Sequence, residues 1–191
     1  MAAKAPHPPV GAVLAGGFGT RLGAPSKPAA LLAGRPLISY PAGALRQVCG
    51  HVVVVCKADT RLPSLPGLDA RWDEPDEPRH PLTGIVHALQ TAGGPVLVCA
   101  ADMPFVDAAT LQALMGPAGA AVVATTKGRL QPLLALYRPT SLQRLREATP
   151  GEPLTRSVEA LEPVAVEVAP ETAFSINTPE DLRAAEARLS A

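Results

Sequence analysis

At 191 residues with 47% apolar side chains, the chain holds enough material for one globular domain with a substantial core and fits poorly to two. Its 17 Lys and Arg balance 17 Asp and Glu, which argues against a general nucleic-acid or anionic-membrane binder and leaves room only for a local basic patch. Aromatic residues make up 3%, too few for a platform on which single-stranded nucleic acid stacks. Met1 to Pro9 carries one Lys, one His and three Pro; it does not read as a signal peptide, and no run reaches transmembrane length. The expectation is a cytoplasmic protein whose residues 1–191 form one domain, with 1–9 as a flexible N-terminus. Cys49, Cys56 and Cys99 lack metal-type spacing, leave an odd thiol over and read as small core side chains in a reducing compartment.

Val10 to Leu14 is an apolar run long enough for a buried strand and too short for a helix. The chain then breaks into Gly16, Gly17 and Gly19, followed by Thr20, Arg21 and, further on, Lys27. Such a loop brings successive backbone N–H groups together as a concave anion site, and both cations suit phosphate. A strand, a glycine loop and two cations in that order predict a triphosphate cradle; the plain alternative is a tight turn with solvated cations. No Walker A string is present. A dinucleotide fingerprint fails too: counting from Gly17 and Gly19, Leu22 stands where the third glycine belongs, and no acid follows the second strand.

Gly34 to Leu37 reads as a turn into a helix striped by Ile38, Ala42, Leu45 and Val48, with Pro41 forcing a late start or a kink. His51 to Cys56 is a strand buried on both faces. Thr60 to Gly67 is loop, Ala70 to Asp73 a brief strand, and Glu74 to His80 a charged, proline-broken loop. Pro81 to Gly84 opens a helix carrying Ile85, Val86, Ala88 and Leu89. Pro95 to Cys99 is another buried strand, and Asp107 caps the helix of Leu111, Leu114 and Met115. Strands are predicted at Ala120 to Ala124, Pro132 to Tyr137 and Val164 to Val168, with helices near Leu142 to Ala148 and Leu154 to Leu161. Thr178 caps a last helix with Pro179 at its first position, running to about Leu189. Alternating strands and helices imply an α/β fold: three layers, with a Rossmann-like, mostly parallel sheet under helices on both faces.

Asp102 follows a buried strand, where ligands of open α/β sheets collect. A carboxylate there can hold Mg²⁺ against a triphosphate; the alternative, a helix cap, is taken by Asp107. Asp73 closes a short strand before a loop, and its plain alternative is a solvated loop acid. Asn177 precedes the cap of the last helix and, alone, reads as a loop residue. His80 and His87 read as surface or packing residues.

Leu14-Ala15-Gly16-Gly17 with Arg21, Leu22, Gly23 and Lys27 resembles the Leu-Ala-Gly-Gly-x-x-x-Arg-(Leu/Met)-Gly-x-x-x-Lys opening of nucleotidyltransferases, and in particular the molybdenum cofactor guanylyltransferases. Asp73 with Pro81-Leu82-Thr83-Gly84 matches the family's Asp, loop and Pro-Leu-x-Gly; Ala101-Asp102-Met103-Pro104-Phe105 matches its Asp-x-Pro element; Arg129, Gln131 and the run to Tyr137 match the segment ending Ala-Leu-Tyr; and Asn177-Thr178-Pro179 matches Asn-Thr-Pro. Three positions depart: Ser26 stands where the family usually has Asp, His80 where it commonly has Gly, and Ser175 where it has Asn. The resemblance covers Val10 to Leu189 and implies a nucleotide-diphospho-sugar transferase type of fold. It implies an enzyme that uses Mg²⁺ to transfer GMP from GTP to the phosphate of a molybdopterin-type acceptor. Arg21, Lys27 and Asp102 would be catalytic, with Asp102 the metal ligand. Leu14, Ala15, Gly16, Gly17, Gly19, Thr20, Asp73 and Asn177 would join them in binding the nucleotide, backbone groups beside Leu14 and Ala15 reading the guanine edge. It leaves room for transient contact with other cofactor-biosynthesis or acceptor enzymes. Two other readings stay open: a relative using CTP or a sugar-phosphate acceptor, and a non-catalytic nucleotide-binding module.

Overall fold

The computed structural model describes residues 8–16, 26–65, 67–149 and 151–190. The expectation of a flexible N-terminus falls, for residues 1–7, outside these. The first half contains β1 (Val10–Leu14), a 3₁₀ turn (Lys27–Ala29), the short strands β2 (Leu31–Leu32) and β3 (Arg35–Pro36), α1 (Ser39–Arg46), β4 (Val52–Cys56), β5 (Ala70–Asp73) and α2 (Pro81–Ala92). The second half contains β6 (Val96–Ala100), α3 (Ala108–Met115), β7 (Ala121–Thr126), β8 (Arg129–Tyr137), α4 (Leu142–Arg146), α5 (Leu154–Glu159), β9 (Val164–Glu167) and α6 (Pro179–Leu189).

Seven strands form one sheet in the order β5-β4-β1-β6-β8-β7-β9. β1 runs parallel to β4 and β6, β4 to β5, and β7 to β9, while β8 is antiparallel to both its neighbours. The mostly parallel sheet agrees with the sequence expectation. β4 and β6 are buried at every residue, as continuous apolar runs under helices on both faces must be. On one face Val13, Val54 and Cys99 pack with Ala44 and Leu45 of α1 and Leu111 and Leu114 of α3. On the other, Ala12, Val53 and Val98 pack with Ile85 and Leu89 of α2, Leu145 of α4 and Val158 of α5. Gly11 lets α1 lie against β1: a Cβ there would meet Leu45 Cβ at 3.2 Å and Cys49 Sγ at 3.3 Å. Cys49, Cys56 and Cys99 are buried thiols, and burial pushes the pKa of Cys49 and of Cys56 up to about 11.

α1 begins at Ser39, so Pro41 lies in its first turn, where a missing N–H leaves no bond unmade. Gly34 to Pro36 is more than a turn, because Arg35 and Pro36 pair back onto Leu32 and Leu31. α6 covers this hairpin through a small core of Leu32, Leu37, Ile176 and Ala185. It starts with a full capping box: Thr178 accepts from the Asp181 amide and Asp181 accepts from the Thr178 amide.

β8 starts at Arg129, earlier than the expected Pro132, and carries a bulge. Val123 of β7 faces Ala135, but the next residue, Ala124, faces Gln131. Pro132 has no N–H for the ladder, and its carbonyl is taken by the buried Tyr137 hydroxyl, which donates to it at 2.8 Å. Burial also raises the Tyr137 phenol pKa. Tyr137→Phe strands that carbonyl inside the sheet and should cost about 1–3 kcal/mol in urea-unfolding free energy. A loss below about 0.5 kcal/mol would show that the bulge holds without the hydroxyl.

Candidate active site

From β1 the chain adds β4 and then β5 on one side, and returns to place β6 on the other. The connections leaving the carboxyl ends of β1 and β6 therefore diverge, and the crevice between them is where open α/β sheets bind ligands. Backbone bonds fix its rim. The Ala15 amide donates to the Val55 carbonyl at 2.9 Å and the Ala101 amide to the Leu14 carbonyl at 3.0 Å. The resulting cleft of about 310 Å³ is lined by Leu14, Ala15, Gly16, Lys27, Val55, Lys57, Glu74, His80, Gly84, Ala101 and Asp102 among others.

Three residues named from the sequence meet at its mouth. Lys27 Nζ pairs with Asp102 Oδ2 and donates to Asn177 Oδ1 at 2.7 Å. Each has a separate mount. Lys27 opens the 3₁₀ turn, anchored by Ser26, whose hydroxyl donates to the Arg61 carbonyl; this is the contact that serine makes where the family has an acid. Asp102 sits in the turn after β6. Asn177 is held beside it because the Ile176 amide donates to the Asp102 carbonyl at 3.0 Å and the Asn177 amide to Asp181 Oδ2 at 2.9 Å. Lys27 and Asp102 side chains are each 16% exposed, sheltered enough to strengthen the pair and open enough to meet a ligand. A second, more open cleft, lined by Gln131, Pro132, Leu133, Pro153, Leu154, Thr155 and Ser175, shares Asp102 with the first and also reaches Asn177. Asp102 therefore stands where the two clefts join.

Leu14, Ala15 and Gly16 line the first cleft as expected. Gly17, Gly19, Thr20 and Arg21 lie outside the described residues. Asp73 is not among the residues lining either cleft; its carboxylate is 52% exposed and pairs with Arg71 Nε at 2.6 Å. Its neighbour Glu74 faces the other way, 7% exposed, because successive residues of an extended chain alternate sides. In the sequence Glu74 belongs to a charged, proline-broken loop and Lys57 has no assigned role. The structure buries both, with Lys57 Nζ 3.5 Å from Glu74 Oε1. Burial pushes the Glu74 carboxyl pKa up and the Lys57 ammonium pulls it back. His80 caps α2, its Nδ1 accepting from the Leu82 amide at 3.2 Å. Desolvation lowers the His87 pKa.

Among the described residues no three His, Cys, Asp or Glu side chains are grouped to hold a metal unaided. A Mg²⁺ ion shared with phosphate oxygens and water needs only one or two carboxylates. The donor set around Asp102 fits that kind of ion.

The model of the MobA-like NTP transferase domain matches residues 11–166. A probable molybdenum cofactor guanylyltransferase of Natronomonas pharaonis is 32% identical over 197 residues, spanning 94% of this chain and 98% of its own. The crystal structure of molybdopterin-guanine dinucleotide biosynthesis protein A from Archaeoglobus fulgidus has a TM-score of 0.75 at 27% identity, covering 95% of this chain and 98% of that one. A 2-C-methyl-D-erythritol 4-phosphate cytidylyltransferase from Thermus thermophilus has a TM-score of 0.70 at 21% identity, covering 96% of this chain and 100% of that one. That last likeness speaks for the fold alone, which is of the nucleotide-diphospho-sugar transferase type. With the cation, carboxylate and amide of the family's motifs brought together at the crevice, and the family model spanning most of the sheet, the chain belongs to the molybdenum cofactor guanylyltransferases of the MobA-like nucleotidyltransferase family.

Proposed function

We infer that this chain transfers the guanylyl group of GTP to the phosphate of a molybdopterin-type acceptor. The observation that carries the reading is the convergence of Lys27, Asp102 and Asn177 at the junction of two clefts. We assign the first cleft to the nucleoside triphosphate and the second to the acceptor, so that the two substrates meet at Asp102. An acceptor phosphate oxygen attacks the α-phosphorus, the bond from that phosphorus to the bridging oxygen of the β-phosphate breaks, and pyrophosphate leaves with the electron pair. Such transfers depend on positioning and charge stabilisation. Lys27 neutralises charge on the phosphates, and Asn177 orients the Lys27 ammonium through their hydrogen bond. Arg21 and the backbone of Gly17, Gly19 and Thr20 would hold the triphosphate, a role that rests on the sequence motif. The nucleotide-binding role of Asp73 likewise rests on the sequence motif, its carboxylate being paired with Arg71 outside both clefts.

Enzymes of this family typically use a divalent metal. We assign Mg²⁺, held by Asp102 with phosphate oxygens and water, where it would supply charge neutralisation at the reacting phosphate. No described helix is long and apolar enough to cross a membrane, and we place the enzyme in the cytoplasm, where residues 1–191 act as one unit in transient contact with enzymes that deliver or receive the cofactor.

Asp102→Asn keeps one oxygen and loses the charge. It should lower guanylyl transfer by at least about 100-fold while the melting temperature moves by only a few degrees. Near-normal turnover would refute the metal assignment. Lys27→Ala and Arg21→Ala should each raise the barrier by about 2–4 kcal/mol, or roughly 30- to 1,000-fold in rate. If both variants lose thermal stability and keep their turnover, the two cations are structural. The reading as a whole is tested by thermal shift with GTP, ATP, CTP and UTP in Mg²⁺, followed by product analysis with the pterin acceptor. GTP should stabilise most, by linkage. A preference for CTP would move the protein to a cytidylyl reaction, and a sugar-phosphate product would overturn the acceptor.

A further inference from the structure

Glu74 keeps one carboxylate oxygen without a hydrogen-bond partner at the wall of the nucleotide cleft. Its backbone is pinned just past β5, the amide donating to the Cys56 carbonyl at 2.9 Å. Oε1 faces Lys57 Nζ at 3.5 Å. Lys57 is 3% exposed and also donates to the carbonyls of Pro75 and Pro78, so its three protons are directed at partners. Oε2 is buried and has no hydrogen-bond partner among the described residues. A carboxylate oxygen in that condition is strongly unfavourable, and native structures keep one where something else completes it. Two glycines make room for the carboxylate itself. A Cβ on Gly84 would come within 2.9 Å of Oε2, and one on Gly16 within 3.1 Å of Oε1.

We propose that Glu74 selects the base, its carboxylate accepting hydrogen bonds from N1–H and N2–H₂ of guanine. Guanine alone among the four bases presents two adjacent donors on that edge. Adenine sets an acceptor beside its amino group, cytosine does the same, and uracil has one N–H between two carbonyls. A carboxylate is an acceptor only when ionised, so it rewards guanine and repels the lone pairs of the others. Glu74 lines the cleft, and its soft terminal torsion lets the carboxylate rotate as one plane to present its edge to the base with its charge still within reach of Lys57. Lys57 has a positioning role: its ammonium, 3.5 Å from Oε1, holds the carboxylate in place and opposes the upward push of burial on its pKa. The proposal rests on the guanylyl reading above and names the group that enforces it.

The test is equilibrium binding of GTP, ITP, XTP, ATP and CTP in Mg²⁺ without acceptor, on the wild type and on Glu74→Gln. ITP lacks the 2-amino group, so wild type should bind it about 10- to 150-fold more weakly than GTP. Glu74→Gln should weaken GTP by a similar factor and strengthen XTP, because the new amide N–H₂ donates to the C2 carbonyl of xanthine. A structural role for Glu74 would lower all affinities together and leave the GTP-to-XTP ratio alone. If wild type prefers GTP over ATP and CTP yet binds ITP equally, the proposal falls and the guanylyl reading stands. An unchanged GTP-to-XTP ratio in Glu74→Gln has the same meaning. A wild type that prefers CTP or ATP overturns both. If the variant does not fold, the GTP-to-ITP ratio of the wild type decides alone.

Discussion

Everything at the site follows from the parallel pairing of β1 with strands on both its sides. Parallel strands point their carboxyl ends at one edge, and their connections must leave over that edge. Because the chain departs from β1 in one direction and comes back to β6 in the other, the two sets of connections part. The gap between them is floored by backbone from β1 and β6 and walled by the segments after β4 and β5. The apolar core beneath, with β4 and β6 buried throughout, holds this floor still while the polar groups stand on turns above it.

Parts of this were legible in the chain. The valines of β4 read as a strand covered on both faces because nothing in them alternates, and Asp102 stood out because an acid directly after such a run has few structural reasons to be there. Asn177 needed the family pattern, since alone it is one more polar residue before a helix cap. Strand direction was out of reach: the periodicity of β8 is the same whether it runs parallel or antiparallel. The bulge went unread as well: Pro132 reads as the first residue of a plain strand, and only the register of β7 against β8 shows the ladder broken beside it. Glu74 was hidden for a physical reason. It opens a stretch with Asp76, Glu77 and Arg79 that has the composition of a solvated loop. Its burial is set by a hydrogen bond to Cys56 and by two distant glycines, neither of which a local window contains. A lysine directly at the end of the most apolar strand was the available hint, because Lys57 had to find a partner inside.

The cluster at the mouth of the cleft and the pair below it use charge differently. Lys27 and Asp102 are partly exposed, and each has a natural competitor in a phosphorylated substrate: phosphate oxygens for the ammonium, a cation for the carboxylate. Their mutual attraction keeps the site close to neutral and can be exchanged on ligand entry at modest cost. Lys57 and Glu74 are buried at the wall of the cleft, where separating charges is far more expensive. The upper pair is thus suited to exchange partners and the lower pair to stay fixed, which matches a site that must admit and release phosphates while holding one constant surface for recognition.

The hydrogen bond from Lys27 to Asn177 joins residues 150 positions apart. During synthesis the sheet order can be reached as soon as β9 has been made, yet Asn177 and the helix that registers it come later still. A growing chain therefore passes through a stage with a nearly finished core and an unfinished catalytic rim. Contacts of such long sequence separation form late because closing the intervening loop is entropically costly. The last segment to emerge is therefore the one that completes the cluster of Lys27, Asp102 and Asn177.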